Sequence, residues 1–114
     1  MKPGDTFLAD FGKGLHLHVF LSHPTQEEQL VVATMISTYD EDRKNAACII
    51  RPTDGHPFIK HFSYVVYQEA GLYSVSRINE LVQEGTITLK PSFSKDVLER
   101  ILKGADSFTA MFWN

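Results

Sequence analysis

The sequence contains a single cysteine, Cys48, and therefore no pair that could form an intramolecular disulfide. This shortage fits a reducing compartment. Because Cys48 lies inside the apolar run 46–50, we expect a buried structural thiol rather than a nucleophile. The fold must then rest on its core, and a chain of 114 residues is long enough to bury one without disulfide or metal.

Positive charge is also scarce, since 11 Lys and Arg residues stand against 14 Asp and Glu, giving a formal net charge of −3. This balance excludes a nonspecific basic nucleic-acid binder, although it allows a local basic groove. The first five residues lack the apolar stretch of a signal peptide, and no segment approaches the length of a membrane span. The sequence therefore predicts a cytoplasmic protein that does not enter membranes.

The chain shows no internal repeat, linker or low-complexity tract, so residues 1–114 are predicted to form one domain. Alternating and β-branched runs between Gly and Pro turns predict seven strands. These predicted strands are 6–9, 15–22, 30–36, 46–50, 63–67, 72–75 and 86–89. In the second strand His16 and His18 share a face, which we expect to be solvated or turned toward a second copy of the chain.

Two helices are predicted, at 77–84 and 95–103, with Ser76 and Ser94 as their N-caps. A glycine directly follows each predicted helix and is expected to end it. The tail from Phe108 to Trp113 is too apolar for a free terminus, so it should pack onto the body or a partner and favours a homodimer. Together the elements predict an α+β domain, mainly β, with a curled antiparallel sheet.

The stretch from Cys48 to Tyr67 concentrates groups that donate, accept or carry a proton. Its two histidines, His56 and His61, lie between an apolar run and a second β-rich run. No other segment of the sequence combines so many such groups. We therefore expect this stretch to supply part of any functional site.

Several short motifs, in this order, resemble the PemK/MazF family of toxin-antitoxin endoribonucleases. The matching segments are Gly4-Asp5, Asp10-Phe11-Gly12, Val19-Phe20-Leu21-Ser22, 32–38, 64–77 and 94–103. The resemblance implies a small SH3-like barrel with a short connecting helix and a C-terminal helix. It also implies a dimer that cuts single-stranded RNA without metal, with an antitoxin protein as a further partner.

The family's catalytic positions are only partly present. The family usually opens its second strand with an Arg-Pro pair, whose arginine stabilises the transition state at the phosphate. Here the same place reads Leu17-His18, and the arginine is missing. Ser37 or Thr38 matches the hydroxyl residue of the family's next loop. The resemblance therefore supports the fold more strongly than the chemistry.

His61 and His56 are the candidate acid and base for RNA cleavage, because imidazole titrates near neutrality. His61 is preferred, since it lies directly before a strand, whereas His56 follows a glycine in a turn expected to be mobile. In the structural alternative His56 and Pro57 only form a turn, and His61 only caps the end of a strand.

Other residues are candidates for binding the RNA. Arg51, Lys60 and Arg43 could stabilise the charge of a phosphate, and His18 is a further binding candidate. Aromatic rings of the same region could stack on bases, although sheet aromatics more often belong to the core. These aromatic candidates are Tyr64, Tyr67, Phe58 and Phe62.

A metal site built from His16, His18, His56 and His61 is conceivable, but no acidic or cysteine residue lies at a familiar ligand spacing. We therefore predict no metal and no cofactor. Two hypotheses for the function follow. The first is a metal-independent RNA-cleaving or RNA-binding protein of the toxin-antitoxin type. The alternative is a non-catalytic binding module whose pocket, around His56 and His61, holds a small ligand or a partner protein.

Overall fold

The computed structural model describes residues 1–40 and 46–113, with side chains as far as residue 108. Seven strands are present: β1 (Thr6–Asp10), β2 (Leu15–Phe20), β3 (Leu30–Thr38), β4 (Ile49–Ile50), β5 (Ser63–Val65), β6 (Gly71–Ser74) and β7 (Thr88–Lys90). Two α-helices, α1 (Val75–Gln83) and α2 (Lys95–Trp113), and two short 3-10 helices, Pro52–Asp54 and Tyr67–Glu69, complete the fold. The predicted elements are all found, with shifted ends.

The sheet is antiparallel at every strand pair, in the order β4-β5-β3-β2-β1-β7. The long strand β3 lies at its centre, because β2 pairs with one edge while β5 and β6 share the other. This confirms the α+β, mainly β, antiparallel prediction. The SH3-like barrel is not confirmed, because the described strands do not close into a ring and β4 and β7 remain at the ends of the order.

The core lies on both faces of the sheet. On one face Leu17 and Val19 of β2 pack in a cluster with Val97 and Ile101 of α2. On the other face Phe20, together with buried side chains of β1 and β3, packs against Ile78 of α1. The central strands are therefore covered by a helix on each side, which fits the nearly continuous apolar sequence of β3.

This double coverage overturns the prediction that His16 and His18 share a solvated or dimer-facing surface. His18 is 4% exposed, and its ring stacks on Phe7 with centroids 4.9 Å apart. His16 is half-buried. The alternation of residues along β2 correctly assigned the leucines and the histidines to opposite faces of the sheet. Both faces are covered, however, so the polar histidines do not lie on a solvent-exposed face.

Helix α1 begins two residues earlier than predicted. Its N-cap is Ser74, whose Oγ accepts a hydrogen bond from Arg77 N, and not Ser76. The helix ends where predicted, since Gly85 adopts a positive φ of 81° directly after the C-cap. Its predicted apolar stripe is present: Ile78 is buried, and Leu81 and Val82 are partly buried against the same cluster.

Helix α2 begins at the predicted place but continues through Gly104 to Trp113, so the prediction that Gly104 ends it is wrong. Gly104 is buried, and a Cβ placed on it would overlap Tyr67 Oη and lie 3.0 Å from Cys48 Cβ. The glycine therefore serves close packing rather than helix termination. Cys48 is buried, as predicted.

The first residue of the apolar tail packs onto the domain. Phe108 lies against the α2-side cluster and stacks on Tyr67, with centroids 5.8 Å apart. The remaining tail side chains lie outside the described residues. None of the described helices is long and apolar enough to span a bilayer.

Candidate functional site

A cleft of about 430 Å³ opens between the start of β2, the end of β3 and the loop that precedes β5. It brings together side chains from three separate parts of the chain. Its lining residues are Leu15, His16, Leu17, Ile36, Ser37, Thr38, Pro57, Phe58, Ile59, Lys60, His61 and Ser63. Four residues predicted to take part in catalysis or phosphate binding, Ser37, Thr38, Lys60 and His61, therefore meet in one place.

The pairing of β3 with β5 explains how these groups meet. In the antiparallel register Ser37 lies opposite Tyr64 and Thr38 lies opposite Ser63. The cross-strand contact continues beyond the strands, because Tyr39 N donates to Phe62 O at 2.8 Å. The hydroxyls at the end of β3 are thereby fixed next to the segment that carries His61.

His61 has an exposed side chain on an anchored backbone. Ser63 Oγ donates a hydrogen bond to the His61 carbonyl at 2.9 Å, and Ser63 itself is a buried residue of β5. The imidazole is available to a ligand in the cleft while its main chain is held.

His16, which the sequence analysis considered as a metal ligand or surface residue, forms a wall of the cleft. Its ring faces two backbone carbonyl oxygens, with Nδ1 3.2 Å from Ile36 O and Nε2 2.9 Å from Lys13 O. Because a carbonyl oxygen only accepts, each ring nitrogen bonds its carbonyl only when that nitrogen carries a proton. His16 shapes the cleft and ties the β1–β2 turn to β3, and it is less available than His61 for proton transfer.

Apolar side chains form a substantial part of the cleft. Leu15 is 63% exposed and Phe58 is 40% exposed, whereas Ile59 beneath them is buried. Nearby Phe62 is also exposed. Such side chains suit a planar or apolar part of a ligand, and Lys60, His61 and the hydroxyls suit a polar or anionic part. The sequence indicated this mixed lining only weakly, because Leu15 shares its strand face with Leu17 and Val19, which are buried.

His56 is excluded from the acid–base role by its contacts. It is 5% exposed, and Phe58 N donates to its Nδ1 at 3.1 Å, so the proton resides on Nε2. Nε2 lies 2.7 Å from Pro91 O and 3.0 Å from Thr6 Oγ1. Burial lowers the pKa of His56, the Pro91 carbonyl opposes this, and the nearby charge of Lys90 acts with burial. The ring is a neutral clamp, not part of a mobile turn, and these contacts favour the structural alternative for His56.

Arg51 also has a structural partner. Asp54, on the 3-10 helix after β4, accepts hydrogen bonds from Arg51 N at 2.7 Å and from Arg51 Nη2 at 3.1 Å. Arg100 of α2 donates to the same carboxylate at 2.6 Å. Arg51 does not line the cleft as far as the described residues define it. Arg43, the other candidate arginine, lies outside the described residues.

The remaining binding candidates are divided by burial. Tyr64 and Tyr67 are buried, so neither presents its ring to a base. Tyr67 Oη donates to Ile101 O at 2.6 Å, which joins the sheet to α2. His18 lies in the core layer and lines a second, smaller cavity instead of the cleft. Of the aromatic candidates, Phe58 and Phe62 remain accessible.

The conceivable metal site of four histidines is not assembled. Within residues 1–40 and 46–108, no group of three or more His, Cys, Asp or Glu side chains is placed to hold one ion. His56 and His61 lie only five positions apart, yet one ring is buried against Pro91 and the other faces the cleft.

No family model matches this chain, and no curated protein matches it significantly. The resemblance to the PemK/MazF family therefore stays a prediction that rests on the short motifs of the sequence.

Proposed function

We propose that the cleft binds single-stranded RNA and that His61 acts there as an acid–base group in metal-independent cleavage. The observation that supports this most is the meeting of His61, Lys60, Ser37 and Thr38 in one cleft. A 430 Å³ space with an exposed phenylalanine offers room for an unpaired nucleotide. The hydroxyls of β3 are suitable partners for a ribose 2′-OH.

The chemistry needs one group to take the proton of a 2′-hydroxyl as that oxygen attacks the adjacent phosphorus. A second group must protonate the departing 5′-oxygen, and a positive charge must stabilise the phosphate in between. His61 can fill one proton-transfer role, and Lys60 supplies charge. No arginine lines the cleft within the described part of the chain. We therefore expect slow cleavage compared with an enzyme that carries two free imidazoles and an arginine.

The wider proposal is a toxin-antitoxin-type protein that acts as a homodimer in the cytoplasm and is neutralised by an antitoxin. The apolar tail beyond Phe108 and the single cysteine support it. Light scattering of the purified chain tests the dimer. Growth arrest on expression, relieved by the product of a neighbouring reading frame, tests the antitoxin.

The alternative is a non-catalytic binding module for a small ligand or partner protein. The apolar lining supplied by Leu15 and Phe58 favours it, as does the absence of arginine from the described lining. Its pocket is centred on His61 alone, since His56 is buried elsewhere.

A matched pair of lysine variants tests RNA binding separately from cleavage. Lys60→Ala removes the cleft's ammonium, and Lys95→Ala removes another exposed charge, at the start of α2 and outside the cleft. Fluorescence anisotropy with a labelled single-stranded RNA should show weaker binding for Lys60→Ala, with a smaller salt dependence, and little change for Lys95→Ala. Equal losses in both variants would indicate nonspecific attraction and refute the cleft as the RNA site.

A further inference from the structure

We propose that a second, smaller cavity binds the positively charged head group of an alkylated ammonium ligand. This cavity, of about 90 Å³, lies between the β1–β2 turn, β3 and β6. The lining residues that matter are Phe11, Lys13, His18, Met35, Glu69 and Tyr73. We call it the aromatic cavity. It is distinct from the RNA cleft and shares only the wall formed by His16.

Three rings meet around the aromatic cavity. Phe11 and Tyr73 stack with centroids 5.6 Å apart, and Phe11 meets His18 edge to face at 5.1 Å. Aromatic faces attract cations through the ring quadrupole, and quaternary ammonium groups are their most frequent functional ligands. The polarizable thioether of Met35 adds a further electron-rich surface.

His18 and Tyr73 add no positive charge that would repel such a ligand, whereas His16, which also lines the cavity, has both ring nitrogens within reach of backbone carbonyl oxygens. His18 Nδ1 lies 3.0 Å from His16 O, so the ring donates there and presents Nε2 as an acceptor. Burial lowers the pKa of His18, the hydrogen bond to the His16 carbonyl opposes this, and the nearby charge of the His16 ring acts with burial. Burial, with the negative charge of Glu69, raises the pKa of Tyr73 and keeps its phenol neutral.

The protein already places a cation of its own at this cavity. Lys13 Nζ lies 2.6 Å from Glu69 Oε1, and both side chains are substantially exposed. Exposed ion pairs contribute little to stability, so a ligand cation can replace Lys13 beside the carboxylate at small cost. Lys13 therefore competes with a ligand cation for Glu69. Removing Lys13 should tighten binding of the ligand, which a purely structural ion pair would not predict.

The size of the cavity limits what can enter. Its volume of about 90 Å³ is about a fifth of the 430 Å³ of the RNA cleft. That volume suits a compact head group better than a nucleobase or a larger ring system. The same head group occurs in a free choline-type molecule and in a methylated lysine side chain of a peptide.

Choline is the probe, and 3,3-dimethylbutan-1-ol is its control because it has the same shape without the charge. Binding to the full chain is followed by NMR shifts of the rings around the cavity. We expect choline to bind at least about tenfold more tightly than the neutral alcohol, since a cation–π contact requires the charge. A peptide with one trimethylated lysine is measured beside choline. Tighter binding of the peptide indicates a methylated protein side chain as the ligand, and tighter binding of choline indicates a free small molecule.

Four variants locate the site. Phe11→Leu should weaken choline binding about three- to thirtyfold, the range of a cation–π contact. Its matched control is Phe62→Leu, because Phe11 is 43% and Phe62 56% exposed and Phe62 does not line the aromatic cavity. Glu69→Gln should also weaken binding, whereas Lys13→Ala should tighten it by removing the competitor.

The proposal is overturned if choline fails to bind, if the neutral alcohol binds equally well, or if Phe62→Leu weakens binding as much as Phe11→Leu. Should Phe11→Leu fail to fold, Lys13→Ala decides the matter, because its side chain is exposed. Tighter choline binding then supports the proposal, and unchanged or weaker binding refutes it.

Discussion

Replacing Gly104 with alanine tests the packing of α2 against the sheet. In an ordinary helix interior this change stabilises a protein by about 1 kcal/mol, because glycine has more freedom to lose on folding. Gly104 is not in an ordinary place. A Cβ there would overlap Tyr67 Oη, lie 3.2 Å from Tyr67 Cζ and lie 3.0 Å from Cys48 Cβ. All three atoms belong to buried residues that cannot swing into solvent.

The magnitude follows from two opposing effects. Overpacking of this kind costs about 1–3 kcal/mol. Moving the phenol aside also strains its hydrogen bond to Ile101 O, a contribution of about 1 kcal/mol. After subtracting the gain in helix propensity, we expect Gly104→Ala to lower the free energy of unfolding by about 1–3 kcal/mol. At this chain length that corresponds to a Tm lower by roughly 4–12 °C.

Urea unfolding at neutral pH, followed by circular dichroism, measures the effect. Tyr67→Phe supplies the internal control, since removing Oη vacates the space that the new Cβ needs. In that background Gly104→Ala should cost about 1–2 kcal/mol less, a coupling that a double-mutant cycle isolates. If Gly104→Ala instead stabilises the protein in both backgrounds, Gly104 is an ordinary helix residue and the packing argument is wrong.

Three further predictions concern the structural polar groups. His56→Ala should lower the free energy of unfolding by about 2–4 kcal/mol in urea titrations, since it opens a cavity and leaves the Phe58 N–H without its acceptor; an unchanged midpoint would contradict the clamp role. Burial holds the pKa values of His56 and His18 below their ordinary 6.5, so the unfolded chain binds protons first. The contribution of these two histidines to the free energy of unfolding should therefore be fully present above about pH 6.5. As the pH falls toward the folded pKa values, the free energy of unfolding should drop by up to about 1.4 kcal/mol per pH unit for each histidine. A free energy of unfolding that stays constant between pH 7 and 5 would refute this. Burial alone would raise the pKa of Asp54, but hydrogen bonds from Arg51 N and Arg100 hold it below its usual value; Asp54→Asn should cost about 1–3 kcal/mol at pH 7, with no loss expected at a pH where the carboxyl is already protonated.

The sequence predicted the order and type of the elements because local patterns determine them. Strand alternation, serine caps and glycine turns act over a few residues. The antiparallel α+β class, the end of α1 near Gly85 and the start of α2 near Ser94 could therefore be predicted from the sequence. The end of α2 was not. Gly104 carries the same local signal as a helix-ending glycine, and only its long-range contact with Tyr67 explains why the helix continues.

The candidate site was predicted only in part, because some of its residues are positioned by strand ends and others by contacts distant in sequence. His61, Lys60, Ser37 and Thr38 meet because β5 pairs with the end of β3, a contact consistent with their positions at strand ends. The fate of His56 depends on Thr6 and Pro91, which lie 50 and 35 residues away in the sequence. No pattern within its own segment reports such partners, and the same holds for the burial of His18 against Phe7.

The central claim is that His61 carries the chemistry of the cleft, and its most direct test is the rate of cleavage of a single-stranded RNA. His61→Ala is compared with wild type and with His23→Ala, which removes an exposed imidazole outside the cleft. We expect metal-independent cleavage by the wild type, normal rates for His23→Ala, and a rate about 10²–10⁴-fold lower for His61→Ala with an unchanged Tm. Normal cleavage by His61→Ala, or unfolding of that variant, would contradict the assignment. A wild type that binds RNA without cleaving it would contradict the catalytic claim and leave a binding function for the cleft.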